Sequence, residues 1–209
     1  MTARGRSLRL PAAAMLTVLA APASAADLSA PPAFARPLPP PVEATSFRLV
    51  NEVRVGGFVG QGTRERGSTD VNFELLSSKV TTSDDPIVSV LIPRLHLGGH
   101  ISTTRQTSQF YFGLTWTEDL FPEYLPGVFI EGSFGASFHD GYTREDALVT
   151  PPNRAKLGCS PLFRESLSLG YRITDNIAIM ATVDHISNGG LCGNNHGLNN
   201  YGGRIAYTF

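Results

Sequence analysis

The sequence predicts an all-β protein, an eight-stranded antiparallel up-and-down β-barrel that spans a membrane. From Ser46 onward, apolar residues alternate with polar residues and glycines at a period of two, with Gly, Asp, Asn and Pro clusters between the runs. The runs are close to the roughly 9–11 residues that a tilted membrane strand needs. The N-terminus carries an export signal, which agrees with a protein of an outer membrane.

Eight segments fit this pattern, and the alternation is clearest late in the chain. They lie near 46–60, 70–81, 87–102, 107–119, 127–139, 162–174, 177–188 and 200–209. In the sixth segment one face carries Leu167, Leu169, Tyr171 and Ile173. The opposite face of that segment carries Ser166, Ser168, Gly170 and Arg172. With an even strand count both termini lie on the periplasmic side, and the longest extracellular loop spans about 140–161.

The apolar face of the predicted sheet could pack on lipid or on a core of its own. Charged residues recur on the opposite face, as in a small barrel with a polar interior: Arg54, Glu131, Arg172 and Arg204. The alternating aromatic residues before Phe209 resemble the ending by which bacterial outer-membrane barrels are recognised for assembly. We therefore expect the bacterial outer membrane as the location, with a soluble periplasmic sandwich as the alternative.

The N-terminal part of the chain is predicted to lie outside the barrel. Three arginines precede the short apolar run 10–21, and Ala23-Ser24-Ala25 is a small-residue cleavage signal. We predict a signal peptide over 1–25, a proline-rich tether over 26–45, and the barrel over 46–209.

The overall composition excludes several functional classes. The chain has 17 basic residues, of which three are leader arginines. The remaining 14 basic and 18 acidic residues give a formal charge of −4, which does not suggest a nucleic-acid partner. His96 and His100 share a face with Arg94 and are expected to line the lumen, and no cluster has metal-ligand spacing. No cofactor is expected, because the sequence has no phosphate loop and no dinucleotide fingerprint. A barrel of eight strands is also too narrow to be a channel.

The seventh segment ends with a polar pair on its apolar face. Ile177, Ile179, Ala181 and Val183 have the apolar parity, and His185 and Ser187 continue it. Side chains at i and i+2 of a strand point the same way, so the two are expected to be neighbours on the outer wall, at its extracellular end. Polar residues on a lipid face cost free energy, so their presence there indicates a function. The alternative is that the strand has already reached the headgroup region, where polar residues are tolerated.

Candidate partners for this pair follow from the turn between the sixth and seventh segments. A three-residue turn centred on Asp175 brings the two apolar faces together and places Glu165 directly opposite His185. Glu165 could orient and charge-stabilise the imidazole, or it could be a rim carboxylate facing water. The same register brings Cys159 almost opposite Cys192, and a disulfide between them would staple the long loop to the loop after Ser187.

The residues around this pair are similar to a known family. His185-Ile186-Ser187-Asn188-Gly189-Gly190-Leu191, followed by Asn195-His196-Gly197-Leu198, resembles the signature of the lipid A 3-O-deacylases, the PagL family. Weaker similarities lie upstream, in Phe129-Ile130-Glu131 and Phe163-Arg164-Glu165. The resemblance covers about the last 85 residues, and its specific part is 185–197.

The resemblance implies an eight-stranded outer-membrane barrel that hydrolyses the ester-linked acyl chain at the 3 position of lipid A. It implies Ser187 as the nucleophile and His185 as the general base. Asn188, with Asn195 and the glycine-rich backbone, would supply oxyanion stabilisation or order the loop. The partners implied are lipid A, as part of lipopolysaccharide, and the outer membrane.

One position departs from the family pattern. Where the family has the Glu of a Ser-His-Glu triad, this chain has Asn199, which can hold the imidazole tautomer but cannot offset the imidazolium charge. Either Asn199 suffices, or Glu165 takes over, or activity is lost. The alternative functions are a non-catalytic small barrel, such as a surface antigen or structural protein, and hydrolysis of another acyl ester such as that of a phospholipid.

Overall fold

The computed structural model describes residues 46–62, 64–143 and 150–209, which form a closed antiparallel β-barrel. Each strand pairs with its neighbours in sequence, and the last pairs with the first. The strands are β1 (Glu52–Gln61), β2 (Thr69–Lys79), β3 (Arg94–Ser102), β4 (Gln109–Asp119), β5 (Val128–His139), β6 (Leu162–Arg172), β7 (Ile177–Ser187) and β8 (Leu198–Thr208). The predicted fold class and strand number are confirmed. The predicted leader and tether, 1–25 and 26–45, lie outside the described residues.

The two ends of the barrel differ in their connections. One end, called the loop end here, carries the connections 62–68, 103–108, 140–161 and 188–197. The other, called the terminal end, carries the strand connections 80–93, 120–127 and 173–176 and the start of β1. The predicted long loop 140–161 is confirmed, because β5 ends at His139 and β6 begins at Leu162.

The prediction for the third segment was wrong at its start. Residues 87–91 belong to a short helix, α1 (Pro86–Leu91), and β3 begins only at Arg94. The Asp85 side chain accepts hydrogen bonds from the N–H groups of Ile87 and Val88, at 2.8 and 3.1 Å, and Pro86 begins the helix. A capping aspartate followed by proline favours a helical turn over the strand that the β-branched residues suggest. The first strand also begins later than predicted, at Glu52 instead of residue 46.

No helix in the described part of the chain has the length and apolar character needed to cross a membrane.

The strand alternation sorts apolar side chains outward and charged side chains inward. The lumen centres on Arg54, which donates to Glu52 at 2.5 Å, to Glu74 at 3.0 Å and to both carboxylate oxygens of Glu131 at 2.6 and 2.7 Å. His96 and His100 are buried in the same lumen, as predicted. Polar interactions therefore fill the interior, and the apolar surface of the strands faces outward.

The part of the long loop from residue 150 to residue 161 folds back over the loop end of the barrel. Ala155 and Leu157 are fully buried and pack with Leu162, Ile186 and Leu198. On the other side, Glu65 accepts hydrogen bonds from the Arg154 guanidinium and the Ala155 N–H, both at 3.0 Å. Glu65 also accepts from the N–H and the hydroxyl of Thr107, at 3.0 and 2.9 Å, so three loops are joined at one carboxylate.

Candidate active site

The predicted pair lies on the outer wall at the loop end, where β7 leaves the apolar band. His185 and Ser187 are both partly exposed, while Asp184 and Ile186 between and beside them are buried in the interior. The period of two therefore separates adjacent residues onto opposite faces of the wall. The predicted position of the His/Ser pair agrees with the register of β6, β7 and β8.

The imidazole of His185 is held by Asn199 on the adjacent strand. The two residues are directly opposite in the β7–β8 pair, and His185 Nδ1 lies 2.7 Å from Asn199 Oδ1. Because an amide oxygen only accepts, this bond requires the proton on Nδ1 and leaves the Nε2 lone pair free. A neutral imidazole in this tautomer can take a proton from a hydroxyl at Nε2.

Glu165 lies on the other flank of the histidine, but it does not bind the ring. The predicted register is confirmed, since Glu165 pairs with His185 in the β6–β7 ladder. Within the described part of the chain its exposed carboxylate makes neither a hydrogen bond nor an ion pair with His185, whose ring binds Asn199. The amide of Asn199 is thus the group that holds the ring, and Glu165 is a nearby negative charge on the same face.

A glycine of the signature packs directly on the imidazole. Gly197 has a φ of +58°, and a Cβ atom there would lie 3.0 Å from His185 Cε1 and 3.2 Å from the Ile186 carbonyl oxygen. Only glycine adopts this backbone conformation without strain while leaving room for the ring edge. The backbone conformation and the contact with the imidazole therefore explain why position 197 of the signature is a glycine.

Asn188 orders the loop that follows Ser187. Its side chain is buried, with the residue 2% exposed, and donates to the carbonyls of Leu157 and Asn194 at 2.9 and 2.8 Å. Its amide oxygen accepts from Gly190 N–H at 2.8 Å, and its own N–H donates to Asn195 Oδ1 at 3.0 Å. These bonds favour the loop-ordering alternative for Asn188 and Asn195, because the Asn188 side chain has no donor left for an oxyanion.

The long loop supports the back of the site. The predicted disulfide is present, with Cys159 and Cys192 joined at 2.04 Å and their Cα atoms 5.7 Å apart. Gly158 approaches so closely that a Cβ there would lie 2.5 Å from the Asn188 amide nitrogen. Sequence reasoning missed this packing, because it joins two loops that are distant in sequence.

Two polar groups near Ser187 have no partner in the described structure. The Ser187 hydroxyl makes no hydrogen bond among the described residues, including none to His185. The N–H of Gly189 likewise donates to no described acceptor, whereas the following Gly190 N–H is used by Asn188. Among the described residues, the Ser187 hydroxyl and the N–H of Gly189, two residues further along the chain, are thus both available as hydrogen-bonding groups.

An open groove runs from this site along the outer wall. Its polar end is formed by Glu165, His185 and Asn199, together with Leu167, Val183 and Tyr201. The groove continues over an apolar stretch that includes Ile130, Leu169 and Ala181. Among the described residues, no group of three or more His, Cys, Asp or Glu side chains is arranged to hold a metal ion.

The fold and the site define a small transmembrane β-barrel with a histidine–serine pair on its outer wall. The sequence model of the family "Lipid A 3-O-deacylase (PagL)" matches residues 95–208, more than half of the chain. The chain belongs to the lipid A 3-O-deacylase (PagL) family, and it is an outer-membrane β-barrel protein. Outer-membrane barrels have short periplasmic turns and longer extracellular loops, so we infer that the loop end is extracellular and the terminal end periplasmic.

One solved structure supports this fold, and a second is reported with it. A structure titled "Crystal structure of the outer membrane enzyme PagL" aligns with a TM-score of 0.56 at 14% identity, over 76% of this chain and 99% of that chain. A second structure, titled "De novo design of transmembrane beta-barrels", aligns with a TM-score of 0.44 at 14% identity, over 77% of this chain and 97% of that chain. A comparison with curated protein sequences gives no significant match.

Proposed function

We propose that this protein hydrolyses the ester-linked acyl chain at the 3 position of lipid A, with Ser187 as nucleophile and His185 as general base. The observation that carries the proposal is the 2.7 Å bond between His185 Nδ1 and Asn199 Oδ1, two residues from a free serine hydroxyl on the same face. That bond fixes the tautomer in which Nε2 can accept the serine proton.

The chemistry requires no cofactor. Ser187 Oγ attacks the acyl carbonyl carbon while its proton passes to His185 Nε2. The tetrahedral intermediate collapses, the bond to the sugar oxygen breaks, and that oxygen takes the proton from the imidazolium. A water molecule, deprotonated by His185, then attacks the acyl-serine ester and releases a 3-hydroxy fatty acid, and Ser187 regains its proton.

The oxyanion of each intermediate needs a donor, and the Gly189 N–H is our candidate. Its two neighbours in the loop are occupied, since Asn188 N–H binds Asn195 and Gly190 N–H binds Asn188. Asn188 and Asn195 would act as positioning residues that hold the Gly189 N–H beside Ser187. A preorganised donor of this kind contributes about 10²–10³-fold to the rate.

The groove supports a lipid substrate over a water-soluble ester. Its polar end contains His185 and its apolar continuation includes Leu169 and Ala181, on a wall that faces the outer leaflet. An acyl chain lying in this groove would bring its ester to the boundary between the apolar band and the headgroup region. Lipid A would reach the site by lateral diffusion in the leaflet.

The test is mass spectrometry of lipid A from bacteria that produce the protein or its Ser187→Ala variant. We expect a loss of one hydroxyacyl mass that depends on Ser187, with equal amounts of folded barrel in the outer membrane. Unchanged lipid A with a folded wild-type barrel would contradict the proposal and favour a non-catalytic barrel. Release of fatty acid from phospholipid vesicles by the purified wild type alone would identify a different ester.

A further inference from the structure

The helix α1 presents its apolar side chains away from the barrel. None of its six residues is buried, and Ile87 and Leu91 are 74% and 66% exposed. Val88 and Val90 are each more than two-fifths exposed as well. A helix that packs on a protein core turns such side chains inward, so this cluster of exposed apolar side chains indicates an interaction surface outside the barrel.

Hydrogen bonds attach α1 to the barrel wall from two sides. The indole nitrogen of Trp116 donates to the Leu91 carbonyl at 3.0 Å. On the other side, Lys79 donates to the Ser89 carbonyl at 2.7 Å and to Glu118 at 2.9 Å. The polar backbone of the helix is therefore attached to the rim of the barrel, which leaves the apolar side chains turned outward.

The wall that carries Trp116 is continuous with the lipid-facing surface. Trp116 has the parity of Phe110, Phe112 and Leu114, whose side chains form the exposed apolar face of β4. The next residue of the same parity toward the terminal end is the acidic residue Glu118. Trp116 thus lies where the apolar band ends on the periplasmic side, the depth at which tryptophan is enriched in membrane proteins.

We propose that α1 is an interfacial anchor, which inserts Ile87 and Leu91 into the phospholipid leaflet on the periplasmic side of the outer membrane. Helices at a membrane surface lie in the plane of the interface and bury apolar side chains at the boundary between headgroups and acyl chains. In α1 the hydrogen-bonded backbone, and not a charged face, is turned toward the barrel. In the closed barrel β4 lies opposite β8, so the anchor and the candidate active site are on opposite walls. The anchor would fix the depth and tilt of the barrel, a property separate from the proposed hydrolysis.

Because Trp116 is the only tryptophan, fluorescence can report one position at a time. The full-length protein is folded into phosphatidylcholine vesicles that contain lipids brominated either near the glycerol end or deep in the acyl chain. The probe variant combines Trp116→Phe with Ile87→Trp, and the matched control combines Trp116→Phe with Thr82→Trp, an exposed position in the same connection before the helix.

We expect the indole at position 87 to lose more than half of its emission with shallow brominated lipids, less with deep ones, and to resist aqueous iodide. The indole at position 82 should be quenched by iodide and not by the lipids. Iodide quenching at position 87 equal to that at position 82, in a folded barrel, would overturn the proposal and leave α1 facing water or a protein.

A second measurement keeps the native Trp116 bond to the helix. In the otherwise unchanged protein, Trp116 should be quenched by shallow brominated lipids, and Ile87→Asp should reduce this quenching whereas Thr82→Asp should not. Equal quenching in both charged variants would contradict insertion of the helix.

Discussion

Asp184 and His185 are adjacent in sequence and lie on opposite faces of the same strand, in two polar environments that differ sharply. Asp184 is buried in the lumen, 2.6 Å from the Arg164 guanidinium. His185 is partly exposed on the outer wall and is bound by the neutral amide of Asn199. The Glu165 carboxylate lies on its other flank and has no partner among the described residues. Around Arg54 and Arg164 inside the barrel, charges are paired with opposite charges. On the outer wall, the described residues leave reactive atoms without hydrogen-bond partners.

This difference indicates that the lumen side chains contribute mainly to stability and that the outer-wall side chains contribute mainly to reactivity. In the lumen, a side chain such as Arg54 is saturated by carboxylates, and removing one partner leaves an uncompensated buried charge. On the outer wall, the atoms that matter have no hydrogen-bond partner in the described part of the chain: the Ser187 hydroxyl, the Gly189 N–H and His185 Nε2. Substitutions in the two regions should therefore have opposite signatures, on folding in one case and on rate in the other.

The largest effect is expected for His185→Gln. Glutamine keeps a polar side chain on the outer wall but cannot accept and return a proton, so deacylation of lipid A should fall ~10⁴-fold with no change in barrel stability. The measurement is initial rate with purified protein and lipid A in mixed micelles. The matched control is His196→Gln in the adjacent loop, whose rate should stay within a few-fold of the wild type. A rate loss shared by both variants would argue for a loop effect instead of a general base.

The lumen gives the opposite signature with Arg54→Met. The change removes a guanidinium from Glu52, Glu74 and Glu131 and should lower the free energy of unfolding by about 3–5 kcal/mol. Urea unfolding in lipid vesicles measures this free energy. The control is Arg172→Met, because Arg172 pairs with Asp119 in a half-exposed site, where losing the pair costs about 1 kcal/mol. The folded fraction should retain its activity per barrel. A stability loss no larger than that of the control would mean that the lumen charges are hydrated.

The sequence predicted those features that depend on local periodicity. Strand parity placed Arg54 inside and Leu167 outside, and the short turn at Asp175 determined the register that sets Glu165 opposite His185. Short turns constrain pairing, whereas the longer loop between β7 and β8 does not. The Asn199–His185 contact was therefore reached through the family resemblance and not through register.

Features that depend on distant contacts were not predictable. Glu65 binds Arg154 across 89 residues, and nothing in either segment indicates the other. The resulting ion pair is 3.0 Å long and joins the long loop to the loop between β1 and β2. The helix α1 was missed for a different reason, because valine and isoleucine favour strands in general. The preceding Asp85-Pro86 capping signal was present in the sequence and outweighed that preference.

The variant Asn199→Glu tests whether a negative charge beside His185 raises the rate. A carboxylate at this position keeps the hydrogen bond to Nδ1 and adds the negative charge that offsets the imidazolium, so the rate should rise about 10–100-fold. Asn199→Gln is the matched control, since it has the same length without the charge and should not exceed the wild-type rate. If the glutamine variant is as fast as the glutamate variant, the increase in rate comes from the longer side chain and not from its charge.

The smallest expected effect tests whether Glu165 contributes charge from its flank. Glu165→Gln should reduce the rate about threefold in the native background, because an exposed carboxylate without a hydrogen bond to the ring stabilises the imidazolium only weakly. In the Asn199→Glu background the same change should have no effect, since the charge is then supplied on the other side. The pair forms a double-mutant cycle, measured as kcat/KM at low and at high salt. Equal losses in both backgrounds would mean that Glu165 acts on substrate binding, and no loss in either would make it a rim carboxylate. A loss confined to the native background would instead identify a partial substitute for the family's missing acid, on the neighbouring strand of the same wall.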